Sequence, residues 1–303
     1  MVLFVLGPLS SPLEFRPSTL NLYPPFPMTL NIILHSVNKA LLPVAGERAR
    51  YETELLLEHV LSCSRSDLYC AGDCTIDNAT EKRIKKYVAE RLRGTPIEYV
   101  LGVAYFYNRE FTVTSDVLIP RPETEVIVET ILDNETDEGS FFLDTGTGPG
   151  TIIGALVKER PSWYGIGTDI SFPALRVAHK NLGNHAALLC TDLTAALTPA
   201  ATFDFIVCNP PYIALHEAPE LDRSVIDYEP SIALFGGKEG LDYYRRMANL
   251  ALPLLKEHGS IYFEIGATQK EQVTVIFTDA GWHDIRCVQD LAGRDRVVAA
   301  KKG

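Results

Sequence analysis

Beyond residue 140 the chain alternates short apolar runs with stretches of helical period, and few architectures accept that pattern. The apolar runs cover 141–143, 163–168, 187–190, 204–208 and 260–265. Between them Leu175, Ala178 and Leu182 line one helix face, and Leu241, Tyr244, Ala248, Ala251 and Leu255 line another. Strand–helix alternation of this kind predicts an α/β fold with a doubly wound, mostly parallel sheet. In such sheets ligands bind outside the carboxyl ends of the strands. The loops after residues 143, 168, 190 and 208 should therefore share one rim, and all four carry candidate chemistry.

The first is Asp144-Thr145-Gly146-Thr147-Gly148-Pro149-Gly150. Glycines at alternate positions let the backbone turn tightly and approach a ligand where a Cβ would collide. The spacing is G-x-G-x-G, and a dinucleotide fingerprint needs one residue more before the third glycine. The Asp144 carboxylate at the strand end suits a cationic amino-acid group better than a pyrophosphate. The second loop ends a strand at Asp169, an acidic residue about 20 positions beyond a glycine-rich turn, as expected of an acceptor for ribose hydroxyls; the competing reading is that Asp169 or Ser171 caps the next helix. In the third loop Asp192 can accept from an adenine amino group while Leu193 packs on the ring, with a solvated turn as the alternative.

The fourth loop, Asn209-Pro210-Pro211-Tyr212, directly follows the apolar strand Phe205–Cys208. At about 5% usage per residue, a given four-letter string arises by chance in roughly one in 500 chains of this length, so a turn of accidental composition is the poorer account. An amide or aromatic amine nitrogen is a weak nucleophile because its lone pair is delocalised. The side-chain carbonyl of Asn209 and the main-chain carbonyl of Pro210 can accept its two hydrogens and aim the lone pair at an electrophilic carbon. Pro211 has no N–H to compete, and each proline holds its predecessor extended. Tyr212 offers a face for a planar group, and orientation of this sort acts as an effective concentration.

From Leu30 to about Leu101 the pattern is helical: Ile84, Val88 and Leu92 recur at i, i+4 and i+8, and Tyr51, Leu55 and His59 or Val60 repeat similarly. Asp77 or Asn78 is placed to cap the helix containing Ile84. Its other face carries Lys82, Arg83, Lys85, Lys86, Arg91 and Arg93, a solvated surface or else a dock for an acidic partner or RNA. Residues 104–114 read as a hairpin with its turn at Asn108-Arg109, and the prolines of Ile119-Pro120-Arg121-Pro122 lead into a helix from about Glu123. Residues 1–28 lack the basic start and long apolar stretch of a signal peptide and are expected to be a disordered extension. No apolar run reaches the length of a membrane span.

The net charge is −11. Residues 1–28 hold one basic and one acidic residue and residues 29–102 hold 10 of each, so the whole acidic excess falls after residue 102. That half would repel phosphates, which argues against a nucleic-acid substrate. The six cysteines form no CxxC pair, so a zinc site is not expected and reduced thiols in a cytoplasmic enzyme are.

These loops together resemble the class I S-adenosylmethionine-dependent methyltransferases, and more narrowly the HemK/PrmC family of peptide chain release factor N5-glutamine methyltransferases. Besides Asp144–Gly150 and Asn209–Tyr212, the likeness rests on Gly94-Thr95-Pro96 with Tyr99 and Gly102, and on Ile119 to Glu125. Further along it rests on Tyr228-Glu229-Pro230, Leu234-Phe235-Gly236-Gly237 with Gly240-Leu241, Phe263-Glu264-Ile265-Gly266, and Asp290 to Arg296. The resemblance implies a seven-stranded Rossmann-like sheet in residues 119–303. It also implies a smaller helical domain in 29–102 that recognises the release factor, and a β-hairpin linker in 103–118. S-adenosylmethionine would be bound by Gly146, Thr147, Gly148, Pro149, Gly150 and Asp169, with Leu193 beside its adenine and Asn209 between cofactor and substrate. Asn209 to Tyr212 would hold the glutamine of the Gly-Gly-Gln motif in class I release factors. Two positions depart: Thr145 replaces a usual Leu, and Pro149 replaces a small residue and removes a backbone donor.

The chemistry implied is a single in-line displacement without metal or covalent intermediate, the amide nitrogen attacking the sulfonium methyl. No strong general base is needed, because methylation makes the nitrogen's proton acidic enough to leave for water. The rival readings are an adenine-N6 DNA or RNA methyltransferase, which shares the Asn-Pro-Pro-Tyr loop, and a non-catalytic nucleotide-binding adaptor. A nicotinamide dehydrogenase fits the glycine spacing poorly.

Overall fold

The computed structural model describes residues 29–136 and 139–303; the extension expected over 1–28 lies outside the described residues. The chain divides into two compact units, one ending at Val88 and the other beginning at Ala89. The first holds α1 (Leu30–Ala45), α2 (Ala49–Leu61), α3 (Arg65–Cys70) and most of α4 (Asn78–Leu92). Its apolar residues recur at helical spacing: Leu30, Ile33, Val37 and Leu41 on α1, and Leu56, Leu57 and Val60 on α2, are buried. Tyr51 is exposed, so the buried stripe of α2 lies off the Tyr51–Leu55 face that the sequence suggested. Asp77 caps α4, its Oδ1 accepting from the Ala79 and Thr80 backbone at 2.8 and 2.7 Å. Ile84 and Val88 are buried as expected, whereas Leu92 is exposed and Arg91, expected on the solvated face, is buried.

The second unit continues with α5 (Ile97–Leu101) and a hairpin of β1 (Val103–Phe106) and β2 (Arg109–Thr112). Its turn falls on Tyr107 and Asn108, one residue earlier than the sequence suggested. Both have positive φ, 49° and 55°, the two-residue geometry that matches strand twist.

After α6 (Glu125–Asn134) come β3 (Phe141–Thr145), α7 (Thr151–Glu159), β4 (Tyr164–Asp169), α8 (Phe172–Leu182), β5 (Ala186–Cys190) and β6 (Phe203–Cys208). Then follow α9 (Arg223–Ile226), α10 (Asp242–Leu250), β7 (Leu255–Glu264), α11 (Lys270–Asp279), β8 (His283–Gln289) and β9 (Asp295–Lys301). The sheet has seven strands in the order β5-β4-β3-β6-β7-β9-β8, with β9 antiparallel to both neighbours. The doubly wound, mostly parallel architecture is as expected. Leu255, read as the last residue of a helix face, instead opens β7.

Strand side chains alternate between two buried layers. Phe142, Phe205, Val207 and Tyr262 pack with Ile127 and Ile131 of α6 and Ile153 and Leu156 of α7. Leu143, Ile206 and Phe263 pack on the other face with Tyr244 and Met247 of α10 and Phe277 of α11. Strands covered on both faces read as continuous apolar runs, which is why they were visible in the sequence. The sheet order reverses between β3 and β6, opening a crevice at their carboxyl ends. Cys208 is buried, while Cys190, at the end of edge strand β5, is exposed. Among the described residues no helix is long and apolar enough to cross a membrane.

Candidate active site

The loop after β3 turns through Gly146, Gly148 and Gly150, all at positive φ (71°, 54° and 81°). At Gly150 a Cβ would also lie 2.8 Å from Leu182 Cδ1, so the positive φ favours glycine there and any side chain would have to displace Leu182. The turn is braced against β4: the Gly146 and Thr147 N–H groups donate to the Thr168 carbonyl at 2.8 and 2.9 Å, and Gly148 N donates to Asp169 Oδ2 at 2.9 Å. Asp169 Oδ1 accepts from Ser171 N at 2.8 Å, and the cap of α8 is Ser171, whose Oγ accepts from Ala174 N at 3.2 Å. Burial raises the Asp169 carboxyl above its ordinary range, against the backbone donors that lower it. Pro149 gives up an N–H, but its carbonyl accepts from Asn181 Nδ2 at 2.9 Å.

Asp144 lies beneath this turn. It is 1% exposed, its Oδ2 accepts from the Thr147 hydroxyl at 2.7 Å, and its Oδ1 has no hydrogen-bond partner. Burial pushes its carboxyl up to about 7. Leu193, after β5, adopts φ 51° and is buried, while Asp192 pairs with Arg246 at 2.7 Å, both about half exposed.

At the tip of β6 the half-buried Asn209 donates from Nδ2 to Thr124 Oγ1 at 3.1 Å. The following residues are held from behind. Ile213 N donates to Leu234 O at 3.0 Å and Gly236 N to Ile213 O at 2.9 Å. Gln269 Nε2 donates to Tyr212 O at 2.9 Å. A Cβ on Gly236 would meet Pro211 O at 2.4 Å, and one on Gly240 would meet Tyr212 O at 2.2 Å. Gly236 and Gly240 thus let one backbone lie directly on the Pro211-Tyr212 backbone. A second clamp joins Arg121 to Glu229 at 2.5 Å, with Ile119 N donating to the same carboxylate at 3.3 Å.

A cleft runs along this rim. Gly146, Thr147, Gly148, Pro149 and Asp169 line its glycine-loop side. Asp192, Leu193, Asn209 and Pro211 line it further along, joined by Arg121, Thr124 and Ile170. Asp144, Gly150, Pro210 and Tyr212, also anticipated from the sequence, do not line it. Asp144 and Gly150 support the turn from within, and the Tyr212 ring packs against the core layer of Leu143 and Tyr244. Sequence reasoning assigned no role to Thr124, Glu229, Glu264 or Gln269. All but Gln269 fall inside motifs singled out above, yet their partners lie far along the chain, beyond the reach of spacing.

Comparison with known proteins bears on the fold and the family. The family model of the methyltransferase small domain matches residues 122–227, and that of the PrmC N-terminal domain matches residues 33–102. The hMettl16 catalytic domain, solved in complex with a 3'UTR hairpin, is similar in fold with a TM-score of 0.50 at 15% identity, covering 74% of this chain and 82% of that one. Fold and family model together define an α/β methyltransferase with a Rossmann-like sheet. A release factor glutamine methyltransferase of Koribacter versatilis is 37% identical over 279 residues, spanning 91% of this chain and 99% of its own. Another, of Coxiella burnetii, is 36% identical over 269 residues, spanning 86% and 95%. The chain belongs to the release factor glutamine methyltransferase family.

Proposed function

We propose that this chain transfers a methyl group from S-adenosylmethionine to the side-chain amide nitrogen of the glutamine in the Gly-Gly-Gln motif of class I peptide chain release factors. The observation that carries the reading is the orientation of Asn209. Its amide N–H is engaged by Thr124 Oγ1, so the acceptor end of the side chain serves the cleft that Asn209 lines. An acceptor is what a substrate NH2 group requires.

The cleft residues fit the cofactor chemically. Each Asp169 oxygen accepts one backbone N–H, and a carboxylate oxygen retains a further lone pair for a ribose hydroxyl. Leu193 and Ile170 supply apolar walls for a base. S-adenosylmethionine, when bound, supplies an electrophilic methyl carbon on a positively charged sulfur. Asn209 Oδ1 accepts a hydrogen of the substrate amide and Pro211 walls the site; the Pro210 carbonyl, whose residue is buried and does not itself line the cleft, is the second acceptor this reading requires. Tyr212, pinned through its carbonyl by Gln269, fixes the loop. Held in this way, the amide nitrogen directs its lone pair along one line of attack. After transfer its extra proton leaves to water.

The helical region matched by the PrmC N-terminal model contributes to release factor recognition in this reading, and such a substrate puts the reaction in the cytoplasm. Incubation with methyl-labelled S-adenosylmethionine and either a release factor or duplex DNA tests the assignment. Label is expected in the release factor alone; label in DNA would overturn it.

A further inference from the structure

The cleft asparagine is backed by two buried polar side chains, Thr124 and Glu264. Thr124 stands at the amino end of α6, where a threonine usually caps the helix, yet its side chain makes no capping bond. It is 4% exposed and accepts from Asn209 Nδ2 at 3.1 Å. A hydroxyl that accepts there has one proton left to give, and the Glu264 carboxyl is an acceptor near enough for the Thr124 side chain to lower its pKa against the rise that burial causes. Glu264 ends β7 beside the β6 tip, one residue beyond the Cys208–Phe263 pairing. It is 1% exposed, and its Oε2 has no hydrogen-bond partner. A buried carboxylate with spare acceptor capacity is costly to keep, a cost that Arg296 and Arg121 offset only in part.

We propose that Thr124 and Glu264 are positioning residues that set which end of the Asn209 amide faces the substrate. In this arrangement the Thr124 hydroxyl donates its proton to the Glu264 carboxylate and so offers Asn209 only lone pairs. The NH2 end then turns towards Thr124 and the carbonyl towards the cleft. If the amide rotated by half a turn, two lone-pair-bearing oxygens would face each other and a donor would face the substrate's own N–H groups. This inference rests on the proposed role of Asn209, and its test separates the two.

Kinetics of release factor methylation at pH 8 for Thr124→Val, Thr124→Ser, Glu264→Gln and Asn209→Ala supply the test. Glutamine at 264 can donate to Thr124 and free the hydroxyl proton to face Asn209, reversing the relay. Thr124→Val and Glu264→Gln are each expected to lower kcat by about tenfold or more while the KM for S-adenosylmethionine stays within about twofold. Thr124→Ser should recover most of the activity lost in Thr124→Val. Adding Thr124→Val to Asn209→Ala should cost nothing further, because the asparagine carries the effect. Should Glu264→Gln fail to fold, the threonine series decides alone. If Asn209→Ala is inactive but Thr124→Val keeps wild-type kcat, or Thr124→Ser is as impaired as Thr124→Val, the relay is wrong and the role of Asn209 stands. An active Asn209→Ala enzyme overturns both.

Discussion

Asn209 Nδ2 lies 3.1 Å from Thr124 Oγ1, tying the tip of β6 to the amino end of α6 across 85 residues of sequence. The bond fixes an exchangeable side chain at the mouth of a cleft, where the chemistry depends on which atom points outward. Removing that side chain takes away one substrate acceptor and no large apolar contact. Asn209→Ala should lower kcat by about 100-fold or more while changing unfolding free energy by only about 1–2 kcal/mol. Single-turnover methylation and urea denaturation measure the two; near-wild-type turnover would contradict the assignment.

Gly236 tests the scaffold behind the loop. An added Cβ would meet Pro211 O at 2.4 Å and Gly240 O at 2.9 Å, and backbone on both sides leaves little room to yield. Gly236→Ala should destabilise by about 1–3 kcal/mol and lower kcat by displacing Pro211. Gly146→Ala is the contrast: no atom lies within 4 Å of its Cβ position, so only the strain of φ 71° remains, about 1–2 kcal/mol.

The Arg121–Glu229 pair should behave asymmetrically. The Glu229 side chain is 1% exposed and that of Arg121 34%. Burial raises the Glu229 carboxyl and Arg121 opposes that rise. Arg121→Ala leaves a buried charge with one long backbone bond and should cost about 1–3 kcal/mol. Glu229→Gln, which keeps an acceptor and removes the charge, should cost less. Urea unfolding at neutral pH gives the ordering, and the reverse order would contradict the account.

Asp144 and Glu264 give stability a pH dependence with a definite sign. Burial pushes both carboxyls up to about 7, from ordinary values of 3.8 and 4.5. The charges around Glu264 are Arg296, Glu123 and Arg121, with the Thr124 hydroxyl; Asp144 faces Thr147 and Asp169. Between the ordinary and the raised value the folded protein holds protons that the unfolded chain has released. Their contribution is therefore complete below about pH 4 and lost as pH rises through about 7. The fall in unfolding free energy between pH 5 and 8 should be smaller in Glu264→Gln than in wild type, by about 1–3 kcal/mol. Equal slopes would show that Glu264 ionises normally.

Much of this fold was legible because β3, β4, β6 and β7 are covered on both faces and read as unbroken apolar runs. The Asn-Pro-Pro-Tyr and glycine-rich loops were legible because their chemistry is local. What stayed hidden was set by tertiary contact. Edge strand β8 lacks a distinctive run, since His283, Asp284 and Arg286 interrupt it; β9 carries the apolar run Val297-Val298-Ala299-Ala300, which the sequence reading did not single out. Asp144 reads from sequence as a ligand group, yet the turn above it closes over its carboxylate. Tyr212 reads as a stacking platform, but its ring packs into the core while Pro211 meets the cleft. The turn of the hairpin was misplaced by one residue because Tyr107 gives no sign that it will adopt positive φ.

The central claim is that Asn209 and its loop present a glutamine amide to a methyl donor. Mass spectrometry of the Gly-Gly-Gln peptide of a release factor, after incubation with the protein and S-adenosylmethionine, tests it most directly. The account predicts that the glutamine side chain gains one methyl group with the wild-type protein and none with Asn209→Ala. An unmodified glutamine, or a methyl group on another residue of the peptide, would contradict it.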